Sequence, residues 1–144
     1  MKRIRRSAIV ERSAQELYAL VEDIESYPQF LPRCVAARVH ERSGARTVAT
    51  LTFGLPHFSQ SLTTENANHP GESIRMRLLE GPFRHFSAAW RFAPLGAHAA
   101  RIDFSMEYEF ANRIAAKALG PLFERMADTM VEAFRARAEN ARDR

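Results

Sequence analysis

The sequence predicts an α+β fold in which a curved antiparallel sheet of seven strands surrounds a long C-terminal helix. Residues 34–110 alternate between apolar and polar side chains, which is the period of strands that bury one face. Turn residues divide this stretch into six strands, and residues 2–10 predict another. Residues 112–140 carry an apolar stripe at spacings of three and four, which indicates an amphipathic helix.

Two further helices are predicted between the first strand and the others. Ser13 and Glu16 form a capping box, in which the serine side chain accepts from an amide of the first turn and the glutamate reaches back. The proline-rich turn around Pro28 predicts a second, short helix. With Asn112 as N-cap of the last helix, the order is β-α-α-β6-α over one domain, residues 1–144.

This layout predicts an apolar ligand cavity inside the sheet. A twisted sheet of seven strands curls, and a single helix in its concave face leaves room for a small molecule. The alternative is that the same large side chains are ordinary hydrophobic core. The candidate lining residues are Phe30, Phe53, Phe58, Met76, Phe83, Phe86, Trp90, Phe104, Met106, Tyr108, Phe123, Met126 and Met130.

Polar residues within these strands give a second set of candidates. Gln60 and Thr64 share strand faces with apolar residues, and they are either contacts for the head group of a ligand or edge positions facing water. Gly120 and Pro121 lie inside the last helix and predict a kink, because Pro121 has no amide proton to donate. The kink is either a flap over the opening of the cavity or a bend that follows the sheet.

The charge of the chain indicates anionic partners such as RNA, ribosomes or phospholipid head groups. The net charge is +4 and the pI is near 9.8, but the arginines are spread along the chain, which is equally typical of a solvated surface. Candidates for a basic patch are Arg3, Arg5 and Arg6 at one end and Arg135, Arg137, Arg142 and Arg144 at the other.

The sequence favours a cytoplasmic location. The longest apolar runs are too short to span a membrane, and no apolar segment follows the basic residues at the start. The alternative is a peripheral position at the inner membrane. The sequence leaves the oligomeric state open.

Catalysis is not expected, and neither a required cofactor nor a metal site is predicted. The five histidines are not at ligand spacing, and no nucleophile elbow is present. Glu107 and Glu109 alternate with apolar residues and are expected to face solvent. The one cysteine, Cys34, excludes an internal disulfide; it is either a buried small hydrophobe or a reactive thiol.

The residues also resemble a known family. Ser26–Pro32 reads Ser-Tyr-Pro-x-Phe-Leu-Pro and Gly81–Phe83 reads Gly-Pro-Phe, and both motifs are similar to those of the coenzyme Q-binding/RatA family. This family belongs to the START-like superfamily of polyketide cyclase/dehydrase and lipid transport proteins. The resemblance covers essentially the whole chain, and further agreeing stretches are residues 18–21, 24–25, 60–64, 79–84, 90–96 and 110–123.

The resemblance implies the helix-grip fold and two different functions. One is binding of ubiquinone, or a related polyisoprenoid lipid, in support of respiratory quinone function. The alternative is a toxin-like protein, of the toxin–antitoxin kind, that binds the large ribosomal subunit and blocks its joining with the small one. For the first function we expect the polar ring near an entrance formed by residues 27–32 and the loop Gly81–Phe83. The absence of a mitochondrial targeting segment favours a bacterial protein.

Overall fold

The computed structural model describes residues 1–142 and confirms the predicted order of elements. A seven-stranded antiparallel sheet, ordered β1-β7-β6-β5-β4-β3-β2, is combined with two α-helices and one short 3₁₀ helix. The elements are β1 (Lys2–Val10), α1 (Ala14–Glu22), the 3₁₀ helix (Ile24–Gln29), β2 (Cys34–Ser43), β3 (Arg46–Gly54), β4 (Ser59–His69), β5 (Ser73–Glu80), β6 (Phe83–Pro94), β7 (Ala100–Phe110) and α2 (Arg113–Arg142).

The strands from β2 to β7 form a meander, and β1 pairs with β7 at the far edge. In the centre of the sheet Trp90 lies opposite Phe104, and Ala88 lies opposite Met106. This register places the apolar residues of both strands on one face, and a shift by one residue would move them all to the other face. The inner face of the sheet is therefore fixed by the alternation in the sequence.

The first helix begins as predicted. The Ser13 side chain accepts a hydrogen bond from the Glu16 amide (3.1 Å), and the Glu16 carboxylate accepts one from the Ser13 amide (3.2 Å). The helix buries Leu17 and Val21. The hydroxyl of buried Tyr27, in the 3₁₀ helix, donates to the carbonyl of Val21 and so ties that helix to α1.

The long helix α2 covers the inner face of the sheet. The Asn112 side chain accepts from the Ala115 amide (2.8 Å), which confirms the predicted N-cap. The helix continues through Pro121, which has no amide proton to donate to the Lys117 carbonyl one turn back. Its thirty residues extend about 45 Å.

Aromatic clusters hold α2 against the sheet near both of its ends. Near the C-terminal end, the fully buried Phe134 lies 5.1 Å from Trp90 and 5.3 Å from Tyr27, measured between ring centroids. Near the N-terminal end, Phe123 lies 5.1 Å from Phe83 and 5.7 Å from Tyr108. Such contacts add to the free energy gained by burial of the rings.

The packing predicts a large difference between two aromatic substitutions. Trp90→Ala removes a ring that is almost fully buried and should lower the free energy of unfolding by about 3–5 kcal/mol. Phe58→Ala is the control, since this ring is half exposed, and should change it by less than about 1 kcal/mol. Urea unfolding followed by circular dichroism measures both values. Equal losses would contradict the arrangement of the core.

Candidate functional site

A cleft opens between α2 and the two loops that face its first half. The loops are residues 30–33, before β2, and residues 55–58, between β3 and β4. The cleft has a volume of roughly 410 Å³ and is mostly apolar. Its lining residues are Pro32, Arg33, Phe53, Leu55, Pro56, Ala118, Pro121, Leu122, Arg125, Met126 and Thr129.

Backbone contacts hold the two loops of the cleft together. The Gly54 amide donates to the Arg33 carbonyl (2.8 Å), and the Leu55 amide donates to the Phe58 carbonyl (2.8 Å). A Cβ at Gly54 would lie 2.9 Å from a methyl of Val35, so a larger residue there would require the Val35 side chain to move. Arg33 has a φ of 66°, in the left-handed region that few residues other than glycine adopt.

Buried polar side chains form a second feature deeper on the inner face, which we call the polar ladder: Thr47, Thr64, Asn66 and Asn68. The Thr64 hydroxyl donates to the Asn66 carbonyl oxygen (2.8 Å), and the Asn68 amide donates to the Thr47 hydroxyl (2.9 Å). A void of roughly 10 Å³, about enough for one water molecule, lies beside the ladder. It is bordered by Thr47, Asn66 and Asn68 together with Val21, Glu22, Ile24, Tyr27, Ile74, Met76 and Trp90.

The cleft and the polar ladder lie on one line along β3 and β4. Phe53, in the cleft, is on the same strand face as Thr47, which is six residues or about 20 Å away. On α2, Met126 lines the cleft and Phe134 contacts Trp90 beside the void. Met130 is buried midway between them. Met126 and Met130 are unbranched side chains, a type that repacks easily.

The structure brings only some of the predicted lining residues together. Phe53 and Met126 line the cleft, and Met76 and Trp90 border the void. Phe83, Phe86, Tyr108 and Phe123 instead belong to the aromatic cluster near the start of α2. Those that are buried are Phe53, Phe83, Phe86, Trp90, Phe104, Met106, Tyr108, Phe123, Met126 and Met130, while Phe30 and Met76 are partly buried.

Two predicted positions are wrong. Phe58 is 49% exposed and does not face the interior, because the loop at Pro56 interrupts the alternation before β4 begins. Gly81 and Pro82 do not border the cleft; they line a depression beside Thr63, and Phe83 is buried. Of the predicted entrance, only the loop that ends at Pro32 and Arg33 lies at the cleft.

The two polar candidates differ in position. Thr64 is buried in the polar ladder, whereas Gln60 is partly exposed beside Phe53 and donates to the Ser61 carbonyl (3.1 Å). Their ligand contacts remain predictions. Sequence reasoning missed Asn66 and Asn68, although the spacing of two that links them to Thr64 is visible in the sequence.

The predicted basic patch is largely paired with acidic groups. Arg6 pairs with Asp128, and Arg135 pairs with Glu132 and Glu139. Arg137 donates to the Gln29 side chain (3.1 Å) and lies over the Phe30 ring. The side chain of Arg142 and the whole of Arg144 lie outside the described residues. Among the described residues, Arg6 and Arg135 are therefore not free arginines of the expected cluster.

Other arginines meet on the outer face of the sheet. Arg5, Ser105, Ala89 and Arg75 lie side by side across β1, β7, β6 and β5. Small residues at the centre leave a shallow depression of roughly 580 Å³, which we call the outer trough; Arg3, Arg5, Arg75 and Arg91 border it.

The arginines of the outer trough differ in their pairing. Arg3 pairs with Glu107 at 2.9 Å and Arg5 is 3.8 Å from Asp103. Arg75 and Arg91 have no ion-pair partner among residues 1–142.

Residues 1–142 contain neither a metal-ligand cluster nor a membrane-spanning helix. Within this range no group of three or more histidine, cysteine, aspartate or glutamate side chains could hold a metal ion. None of the described helices is both long and apolar enough to span a membrane.

Comparison with known proteins identifies the family. Residues 10–135 match the family model described as polyketide cyclase/dehydrase and lipid transport. The chain belongs to this family. The START-like assignment made from the sequence motifs is thereby confirmed.

Two relatives of the chain have names that refer to different functions. The chain is 39% identical over 139 residues to the ribosome association toxin RatA of Escherichia coli, covering 96% of this chain and 88% of the relative. It is 27% identical over 136 residues to the mitochondrial coenzyme Q-binding protein COQ10 homolog B of Xenopus laevis. That match covers 92% of this chain and 56% of the relative.

Solved structures show the same fold. The Zhui aromatase/cyclase of Streptomyces sp. R1128 has a TM-score of 0.86 at 18% identity, covering 96% of this chain and 93% of that one. A START superfamily protein of Mycobacterium smegmatis has a TM-score of 0.80 at 19% identity, covering 96% and 98%. At these identities the similarity is one of fold, and it confirms the helix-grip arrangement.

The structure also predicts how fast the single cysteine, Cys34, is alkylated. Cys34 is buried, its Sγ lies 3.5 Å from the Ala36 carbonyl, and burial raises the pKa of its thiol. A raised pKa leaves less reactive thiolate near pH 8, so alkylation by iodoacetamide should be about tenfold or more slower than in urea-unfolded protein. Mass spectrometry over time measures both rates. Equal rates would contradict this placement.

Proposed function

We propose that the protein binds a hydrophobic small molecule with a polar head group between α2 and the inner face of the sheet. The molecule enters through the cleft, displaces Met126 and Met130, and places its head group against the polar ladder. The observation that carries this proposal is that residues of an apolar cleft and buried polar groups lie on one face of β3 and β4.

Ubiquinone, or a related polyisoprenoid lipid, fits this arrangement, and a role in respiratory quinone function would follow. The side-chain amides of Asn66 and Asn68 and the hydroxyl of Thr64 can donate to the carbonyl oxygens of a quinone ring. The apolar walls suit an isoprenoid tail, at about 0.8 kcal/mol for each CH₂ group buried. The name of the Xenopus relative supports this choice of ligand.

The position of the ladder favours a different orientation from the one expected from sequence. The sequence placed the polar ring near the entrance, whereas the buried polar groups lie about 20 Å along the strand from Phe53 in the cleft. A ring bound at the ladder leaves the tail directed back through the cleft. In this orientation the tail of the ligand, and not its ring, lies at the entrance.

We propose that the protein binds its ligand without catalysing a reaction and without a required cofactor. The side chains of the polar ladder are threonine and asparagine. Neither type titrates near neutral pH, and a threonine nucleophile needs an adjacent base. These residues are suited to hold a head group in place.

Substitutions in the polar ladder test this proposal. Asn66→Leu removes a donor at nearly constant volume and should weaken binding of a short-chain ubiquinone about 10–100-fold. Trp90, the only tryptophan, borders the same void, so quenching of its fluorescence reports the affinity.

A matched pair of threonines completes the test. Thr64→Val should weaken quinone binding, whereas Thr63→Val should not, because Thr63 hydrogen-bonds to Thr50 on the other face of β4. No quenching in the unmodified protein, together with no quinone in organic extracts of it, would contradict the proposal.

A second candidate function is association with ribosomes. The name of the Escherichia coli relative favours it, and the outer trough offers a surface to which phosphate groups could bind. The more specific version of this proposal is that the protein binds the large ribosomal subunit and blocks its joining with the small one. The outer trough and the cleft are on opposite faces of the sheet, so one molecule could have both functions.

Charge reversal in the outer trough tests this second function. Arg75→Glu with Arg91→Glu should abolish co-sedimentation with large ribosomal subunits, because neither arginine is occupied by an acidic partner. Arg38→Glu, at an exposed arginine near the opposite edge of the sheet, should leave it unchanged. The affinity for the subunit should also fall steeply between 50 and 200 mM salt, by on the order of 10³–10⁵-fold if many phosphate groups are contacted. No co-sedimentation at either salt concentration would contradict it.

A further inference from the structure

We propose that the outer trough binds the sugar–phosphate backbone of double-stranded RNA, an inference that rests on the second candidate function and names the chemistry of its partner. One strand of the duplex lies in the trough. Arginines on both sides contact its phosphate groups, and two serines on the floor contact ribose 2′-hydroxyl groups. The positions of the free cations, the chemistry of the floor and the kinds of side chain in the trough carry this inference.

Arginines stand on both sides of the outer trough. Arg3 and Arg5 lie on β1, whereas Arg75 and Arg91 lie on β5 and β6. Arg5 and Arg75 belong to the same row of the register, and their strands are three strand spacings, or about 14 Å, apart. A row of phosphate groups along the trough therefore has cations on both sides.

Most of this positive charge is available to a ligand. Arg75 and Arg91 have no ion-pair partner among residues 1–142. Asp103 lies 3.8 Å from Arg5 and 3.4 Å from Arg101, but its Oδ1 accepts no hydrogen bond from any described residue. A phosphate group therefore does not have to displace a hydrogen-bonded carboxylate from Arg5, Arg75 or Arg91.

The floor of the trough presents two hydroxyl groups. Ser87 and Ser105 occupy diagonal positions on the adjacent strands β6 and β7, and both line the trough. Ser105 is exposed and Ser87 is half-buried, and neither side chain has a hydrogen-bond partner among residues 1–142. A serine hydroxyl both donates and accepts, as does the ribose 2′-hydroxyl that distinguishes RNA from DNA. The floor therefore favours RNA.

The other side chains of the trough disfavour a bilayer or a protein as the partner. Its large apolar lining residues, Ile4, Met76 and Met106, belong to the core or pack against it. A bilayer surface requires apolar side chains that enter it, and a protein interface usually has apolar or aromatic residues at its centre. The exposed side chains of the trough are instead arginine and serine, which suit a phosphate backbone.

The same composition favours a duplex over a single strand. Proteins that bind single strands usually stack the bases on aromatic side chains. The residues described as lining the trough include no aromatic side chain. In a duplex the bases are already paired and stacked on one another, so the protein has only the backbone to contact.

Fluorescence anisotropy of the full chain with labelled nucleic acids tests the proposal. The protein should bind an RNA duplex of about 20 base pairs about tenfold more tightly than a DNA duplex of the same sequence. It should also bind the RNA duplex about tenfold more tightly than either of its single strands. Equal or tighter binding of the DNA duplex or of a single strand would overturn the proposal.

The salt dependence of binding tests the arginines. Arg75→Gln with Arg91→Gln removes two phosphate contacts and should reduce the slope of log affinity against log salt concentration by about two. The matched control is Arg38→Gln with Arg113→Gln, at exposed arginines outside the trough that are also unpaired within residues 1–142. This control should keep the slope of the unmodified protein. The same reduction in both double variants would show that only net charge matters and would overturn the proposal.

The serines are tested by the preference for RNA. Ser87→Ala with Ser105→Ala should lower the affinity for the RNA duplex about tenfold, because two hydrogen bonds are lost, and leave the affinity for the DNA duplex unchanged. Ser61→Ala is the control, since Ser61 lies on the outer face of β4 and its side chain bonds to Thr52. It should change neither affinity. An unchanged preference for RNA in the double serine variant would overturn the proposed floor contacts.

Sedimentation with large ribosomal subunits distinguishes failure of this inference from failure of the second candidate function. Binding of the RNA duplex without co-sedimentation would support this inference and contradict the ribosomal function. Co-sedimentation that is lost in Arg75→Glu with Arg91→Glu, in a protein that does not bind the RNA duplex, would overturn this inference alone.

Discussion

One helix covers the inner face of a seven-stranded sheet, and this constraint determines where the structure is rigid and where it can open. Rings from the sheet and from the 3₁₀ helix hold α2 at Phe134, and a second group of rings holds it at Phe123. Between these two clusters, Met126 lines the cleft and Met130 is buried one turn further along α2. Interlocked rings resist displacement, whereas unbranched thioether chains adapt to a new neighbour. The cleft therefore lies where the core is easiest to rearrange.

The polar ladder lies on the same inner face, where its side chains are buried. Burial of a polar group is costly unless it forms a hydrogen bond. Thr64 bonds to Asn66 within β4, and Asn68 bonds to Thr47 of β3. These pairings satisfy part of the hydrogen-bonding capacity of the buried groups without a ligand. A head group with carbonyl oxygens would add acceptors for the amide protons. Binding of this kind also stabilises the fold by mass action, by about 2.7 kcal/mol when the ligand is at one hundred times its Kd.

The two faces of the sheet carry different kinds of residues. The inner face is committed to the core, the ladder and the path from the cleft. The outer face carries small residues between arginines, of which Arg75 and Arg91 are unpaired within residues 1–142. Under the two functions proposed for this chain, a ligand in the cleft and a partner on the outer trough would not compete for the same residues.

The sequence by itself determined the elements of this protein and the side of each strand that is buried. The capping box at Ser13, the N-cap at Asn112 and the inward positions of Trp90 and Phe104 were predictable, because each depends on residues a few positions apart. Only the tertiary structure decided which residues meet. The pairing of Arg6 with Asp128 depends on where α2 crosses β1, more than one hundred residues later. The cleft, the outer trough and the grouping of Thr47 with Asn68 likewise depend on strand neighbours and on the path of one helix, which local periodicity does not encode.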